Sequence, residues 1–295
     1  MKYLLTMLIS SSFFTLKAQQ EFDTQGHRGG RGLMPENTIP AMINGVHLGV
    51  HTLELDCHVT ADGKVMVSHD PYMSSVIMLK PDGSEITKAE EKNYLLYKMP
   101  YDSIRQFQEG VKQHPDFPDQ QKVKTYKPLL AELIDSVENY VKINHLKPVY
   151  YNIETKSKPS GDGITNPVPD VFVKLLMEVI TEKKITDRVI IQSFDPRTLQ
   201  VLHKQWPQVK TAFLTAAGTY DDNIKILGFI PTIISPEFKI VNQAMVKAAH
   251  QNNVKVLPWT VNNEADMKTL ADLKVDGLIS DYPDKLVKMF GSYQK

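Results

Sequence analysis

Cysteine is almost absent from this chain. Its 295 residues contain one, Cys57, which excludes an internal disulfide. Net charge is absent too: 34 Lys and Arg balance 34 Asp and Glu. No basic run breaks that balance, so nothing points to nucleic acid. There is no heptad pattern and no internal repeat, which excludes coiled coils and repeat arrays. Beyond the first eighteen residues no stretch is apolar enough to span a bilayer. What remains is an ordinary globular composition, 42% hydrophobic and 23% charged, long enough for a large core. An α/β barrel commonly fills this length as one domain.

The N-terminus reads as a targeting segment. Lys2 supplies a short positive region, and 3–16 is mostly apolar but too short for a membrane span. Residues 1–18 are therefore expected to be a signal peptide, cut after Ala18, with Leu16 a larger residue than usual at the third position before the cut. The remaining 19–295 is expected to be an exported barrel domain, periplasmic or secreted. No cysteine stands near the cut, so no stable lipid or membrane anchor is expected.

The rest of the chain is organised around 52–71, TLELDCHVTADGKVMVSHDP. Residues 53–57 read as a strand. Side chains two apart share a face, so Glu54 and Asp56 point one way while Leu53, Leu55 and Cys57 point toward apolar packing. Asp62-Gly63 is a two-residue hairpin signal, and 65–68 returns as a second strand ending in His69-Asp70. A turn centred there places Asp56 opposite His69. His58 shares the carboxylate face but reads as an exposed hairpin residue.

The chain from residue 19 onward alternates strand and helix. Strands are expected to end at His27, Asp56, Lys156, Phe194, Thr215, Pro236, Val261 and Asp281. Helical patterns fill 39–48, 129–145, 168–183, 196–205, 222–227, 241–251, 264–273 and 284–290. Thr38 with Pro40 marks a helix start, Gly49 a stop, and Asp195 and Asn262 or Asn263 look like caps. Eight such repeats predict a (β/α)8 TIM barrel. The segment 71–127 is long, polar and weakly periodic. It reads as an insertion between the second strand and second helix, shaping substrate access over the barrel mouth.

Polar residues gather at the carboxyl ends of these strands. Glu54, Asp56 and Glu154 bring three carboxylates from two adjacent staves to one mouth, an arrangement that is costly unless neutralised. A hard divalent cation with oxygen ligands, Ca²⁺ or Mg²⁺, suits them. Lys156 and Arg28 suit a substrate anion, and a glycine-rich turn at 26–30 can cradle one. His27 and His69 flank the carboxylates, and imidazole exchanges protons near neutral pH. Together these residues describe a phosphoryl-transfer site.

The same residues carry a family resemblance. GHRGGRGLMPENT followed by LELDCHVTADGKVMVSHDP resembles the glycerophosphodiester phosphodiesterase family, and the match continues through KPLLAEL, YNIETK, IIQSFD, PWTVN and GLISDYP. The resemblance implies a TIM barrel that hydrolyses small-molecule glycerophosphodiesters to sn-glycerol 3-phosphate and an alcohol. It implies an acid–base pair in His27 and His69 and metal ligands in Glu54, Asp56 and Glu154. It also implies phosphate contacts from Arg28 and Lys156, and substrate contacts from the aromatic Phe194 and Trp259. Cys57 and Thr155 stand where that family has aliphatic residues, and neither occupies a catalytic position. Two other readings use the same motifs: a sphingomyelinase D-like lipid phosphodiesterase and a non-catalytic glycerophosphodiester-binding protein. A metal-free phospholipase C-like enzyme is disfavoured by the three carboxylates.

Overall fold

The computed structural model describes residues 22–295. The expected signal peptide and its cleavage point lie outside them. In chain order the regular elements begin with β1 (Asp23–Gly26), α1 (Ile39–Leu48), β2 (Thr52–Val59), β3 (Val65–Val67), β4 (Met78–Leu79), α2 (Tyr101–Ile104) and β5 (Gln108–Glu109). Then come α3 (Leu130–Ile143), β6 (Tyr150–Thr155), α4 (Pro169–Glu182), β7 (Val189–Ser193), α5 (Pro196–Gln205) and β8 (Lys210–Thr215). The chain finishes with α6 (Tyr220–Leu227), β9 (Ile233–Pro236), α7 (Gln243–Gln251), β10 (Lys255–Val256), α8 (Glu264–Asp272), β11 (Gly277–Ser280) and α9 (Pro283–Phe290).

Eight of these strands are parallel staves in the order β10-β9-β8-β7-β6-β2-β1-β11. The two ends meet through scattered backbone bonds. The amides of Asp276, Ile279 and Val261 donate to the carbonyls of Val256, Pro258 and Ile279 at 2.9, 3.0 and 2.9 Å. The result is the (β/α)8 barrel. The regular part of β10 stops at Val256 rather than at the expected Val261, because Pro258 has no N–H to give a ladder.

Period-two alternation explains how each stave is buried on both sides. Leu53, Leu55, Cys57 and Val59 of β2 join Tyr151 and Ile153 of β6 and Val189 and Ile191 of β7 in the apolar shell beneath the helices. Leu133, Ile134, Val137 and Val141 of α3 meet that shell at helical spacing. Cys57 is thus a packing residue, fully buried. A smaller cluster of Ile190, Ala212, Ile233, Leu257 and Ile279 fills the barrel's interior.

Caps set the helix starts. Thr38 accepts from the Ala41 amide at 3.3 Å, and Asp195 from the Arg197 amide at 3.1 Å. Asn263, not Asn262, caps α8, accepting from the Asp266 amide at 2.8 Å.

The hairpin register differs from expectation by one residue. The Thr60 and Lys64 backbones pair at 3.0 Å around a three-residue loop, Ala61-Asp62-Gly63, with Gly63 at φ 74°. β2 and β3 then pair Cys57 with Val67, and Asp56 meets Ser68 through the Ser68 amide at 2.9 Å. His69 lies one residue beyond.

The insertion is an ordered layer with its own apolar cluster, in which Met73, Met78, Ile86, Leu96, Tyr101, Ile104 and Phe107 pack on Met66 of the hairpin. β4 and β5 pair antiparallel within it.

Candidate active site

Backbone geometry at the end of β1 starts the site. Arg28, Gly29 and Gly30 have φ of 50°, 81° and 99°, a run that brings the chain back across the mouth. A Cβ on Gly29 would stand 2.8 Å from the Ala41 Cβ, and one on Gly30 2.7 Å from the Pro283 ring, so the turn needs glycine twice. The turn aims the Arg28 amide at Glu54 Oε2, 2.7 Å away.

Register assembles the carboxylates. On adjacent parallel staves Asp56 pairs with Glu154, and Glu54 with Asn152. One oxygen from each of Glu54, Asp56 and Glu154 lies within 4.8 Å of the others, and all three side chains are buried. Gln192 Nε2 donates to Glu54 at 2.6 Å and Asn37 Nδ2 to Asp56 at 2.8 Å. Lys156 Nζ stands 3.1 Å from Glu154 and 3.8 Å from Asp56.

Charge is divided unevenly among the three. Burial opposes ionisation of Asp56, but Lys156, His69 and Arg28 outweigh it and hold that carboxyl well below the usual range. Burial, then the Asp56 charge, pushes Glu54 well above that range. Burial also raises Glu154 to about 7, with Asp56 adding to it and Lys156 opposing. Three buried oxygen donors that cannot all ionise unaided fit a hard divalent cation, which would neutralise them together.

Two histidines reach the same cavity, each held through Nδ1 by a carboxylate. His27 Nδ1 lies 2.6 Å from Asp281 Oδ1, and His69 Nδ1 2.9 Å from Asp70 Oδ1. A carboxylate accepts, so Nδ1 carries hydrogen in both rings and Nε2 is the atom left to exchange protons. His27 Nε2 is 4.0 Å from Glu54. Burial lowers the His27 imidazole's proton affinity, and Asp281 works against that.

The cavity holds about 160 Å³, and His27, Arg28, Glu54, Asp56, His69, Glu154, Lys156, Phe194 and Trp259 all line it. All nine side chains singled out in the sequence therefore meet at one place. Phe194 is 43% exposed and stands edge-on to Trp259 with ring centres 5.3 Å apart. Arg28 is fixed more tightly than its sequence suggested, with Nη1 2.9 and 3.0 Å from the two Glu36 oxygens and Nε 3.5 Å from Asp56. Thr155 faces away, its hydroxyl 2.8 Å from that of Thr198.

Sequence reasoning gave several residues no role. Arg31 and Gln192 also line the cavity. Asp281 takes Arg31 Nε and Asn262 Nδ2, each at 2.7 Å, as well as His27. Its place at the end of the last stave was the available signal. His58 is buried rather than exposed, with Nε2 3.0 Å from the His69 carbonyl oxygen. Burial depresses its imidazole to about 4. His114 is also buried.

No residue of 71–127 lines the cavity. The insertion braces it instead: Gln120 Nε2 donates to the Arg31 carbonyl at 2.7 Å, and the Arg31 guanidinium lies 5.0 Å from the Phe117 ring centre.

A parallel barrel whose stave ends gather three carboxylates, two cations and two anchored histidines belongs to the barrel enzymes of phosphate-ester chemistry. Residues 27–285 match the glycerophosphoryl diester phosphodiesterase family, and the chain belongs to that family. It is similar to a glycerophosphodiester phosphodiesterase of Bacillus altitudinis, 29% identical over 89% of this chain and 96% of that one. It is also similar to one of Bacillus subtilis, 27% identical over 99% and 94%. The crystal structure of a Silicibacter pomeroyi protein placed among the glycerophosphoryl diester phosphodiesterases superposes with a TM-score of 0.81, at 27% identity over 92% and 93%.

One buried acid within the insertion makes a pH test possible. Glu109 of β5 is 1% exposed, and Lys127 Nζ stands 3.6 Å away, beyond hydrogen-bond reach. Burial raises Glu109 from 4.5 to about 7, with Lys127 opposing. The folded protein thus keeps this proton to higher pH than the unfolded chain does. The associated stability is complete below pH 4.5 and is lost as pH rises through about 7. Glu109→Gln cannot ionise, so its stability relative to wild type should rise over that window by on the order of 3 kcal/mol. Urea denaturation of both proteins between pH 4.5 and 8 checks this, and a pH-independent difference would contradict it.

Proposed function

We propose that this enzyme hydrolyses glycerophosphodiesters to sn-glycerol 3-phosphate and an alcohol. A divalent cation, Ca²⁺ or Mg²⁺, would be held by Glu54, Asp56 and Glu154. The observation that carries the reading is the meeting, in one cavity, of that carboxylate cluster with two histidines each anchored through Nδ1.

When bound, the cation supplies positive charge to the phosphate oxygens. Arg28 and Lys156 supply more from fixed positions, Arg28 clamped by Glu36 and Lys156 by Glu154. One histidine takes the proton of the glycerol 2-hydroxyl as its oxygen attacks phosphorus. The other gives a proton to the departing alkoxide, which leaves as the alcohol. The cyclic glycerol phosphate so formed is opened by water with the two roles reversed, and either histidine can be the first base. Asp281 and Asp70 hold the rings in the tautomer this requires. Phe194 and Trp259 offer an apolar wall to the substrate's carbon atoms. The protein is exported before it works, a reading that rests on the charged and then apolar pattern of 1–18.

Chelation should abolish turnover, and Ca²⁺ or Mg²⁺ should restore it. Glu154→Ala should weaken cation affinity at least tenfold by calorimetry while circular dichroism stays unchanged, because a mouth residue serves function rather than packing. An unchanged titration would remove Glu154 from the site. Rate against pH should be bell-shaped. His27→Ala and His69→Ala should each lose about 10²-fold or more in kcat, and the double variant little beyond that. A His69→Ala enzyme with bound cation and near-normal kcat would end the paired mechanism. N-terminal sequencing of the protein from cells should begin at Gln19, and an intact cytoplasmic N-terminus would contradict export.

A further inference from the structure

We infer that His58 is a positioning residue for His69, tying its backbone to the strand that carries Glu54 and Asp56. This rests on the acid–base role proposed for His69. β3 ends at Val67. The last bond of the ladder is the Ser68 amide to the Asp56 carbonyl at 2.9 Å. Beyond it the chain leaves the sheet, and His69 hangs from the hairpin's loose end. Its ring is part-exposed, at 34%, so packing alone holds it weakly.

Two bonds restore the lost constraint. Ser68 Oγ donates to the Asp70 carbonyl at 2.9 Å, and His58 Nε2 donates to the His69 carbonyl at 3.0 Å. The second comes from a ring only 2% exposed on β2. A single strand therefore places two of the three clustered carboxylates and, through His58, the backbone of the histidine that works beside them.

Packing does not explain the choice of residue. A carbonyl only accepts, so Nε2 of His58 carries the hydrogen and Nδ1 is bare. Among the described residues that buried Nδ1 has no hydrogen-bond partner. A buried acceptor without a partner is destabilising, a cost that a leucine at this position would avoid. What a histidine adds is a rigid N–H at the distance of the His69 carbonyl. Displacement of a reacting group by about 1 Å can cost 10²-fold in rate.

The test compares two amides on the cation-loaded enzyme, with glycerophosphocholine as substrate. Glutamine carries its side-chain N–H the same number of bonds from Cα as Nε2 of histidine, and asparagine falls one bond short. His58→Asn should lower kcat at least about tenfold, with KM and cation affinity within about twofold, and His58→Gln should recover kcat to within about threefold. On a His69→Ala background His58→Asn should cost nothing further. Equal kcat in the two amide variants would overturn the inference. So would a loss that persists undiminished without the His69 side chain, or one that appears in KM or cation affinity instead. If His58→Asn does not fold, His58→Gln decides alone: near-normal kcat supports the role and a tenfold loss rejects it. An active His69→Ala enzyme would remove the acid–base reading and this one with it. An inactive His69→Ala beside a normal His58→Asn would remove only the positioning.

Discussion

The constraint on which this structure depends is parallel register between two staves. Pairing β2 with β6 so that Asp56 faces Glu154 brings carboxylates on adjacent strands roughly 5 Å apart at backbone level. Glu54 joins them from one step lower on β2. Such a cluster is electrostatically unfavourable in a buried place, and most of the surrounding polar chemistry answers it. Neutral donors from Asn37, Gln192 and the Arg28 amide, and the cation of Lys156, all point at it. These groups stabilise the cluster only in part, since Glu54 and Glu154 still hold protons more tightly than free carboxyls. The remaining demand for positive charge is what suits the mouth to a divalent cation.

A second pattern repeats on the two histidines. Each gives Nδ1 to a carboxylate, which leaves Nε2 as the nitrogen able to exchange protons, but the anchors differ in burial. Asp281 is 1% exposed and also holds Arg31 and Asn262, so it joins the loop after β1 to the end of β11. Asp70 is the chain neighbour of His69 and partly exposed. The better-braced ring belongs to a tight glycine turn and the looser one to the open end of a hairpin. His58 adds its backbone contact on the looser side.

Arg28 and the insertion show how support is layered behind the cavity. Arg28 meets the site both as an amide and as a guanidinium held between Glu36 and Asp56. Arg31 beside it is backed by Phe117 and Gln120 from the insertion. The insertion thus acts from outside the wall, and its apolar cluster rests on Met66 of the hairpin that carries His69.

What the sequence determined by itself was everything governed by local periodicity. Alternation along 53–57 placed Glu54 and Asp56 inside and Cys57 outside, capping residues placed the helices, and strand-helix repetition implied the barrel. Strand-end polarity then put the two histidines and the carboxylates at one mouth. Tertiary structure decided the pairings. His27 and Asp281 are 254 residues apart, and only closure of the barrel makes them neighbours. A three-residue loop around Gly63, rather than a two-residue turn, moved His69 one step past Asp56. His58 looked like a hairpin surface residue because nothing local shows that a strand outlasting its barrel is covered by another chain segment. Periodicity records which way a side chain points. What it meets there is set by closure, register and the packing of distant segments, none of which is a local property of the chain.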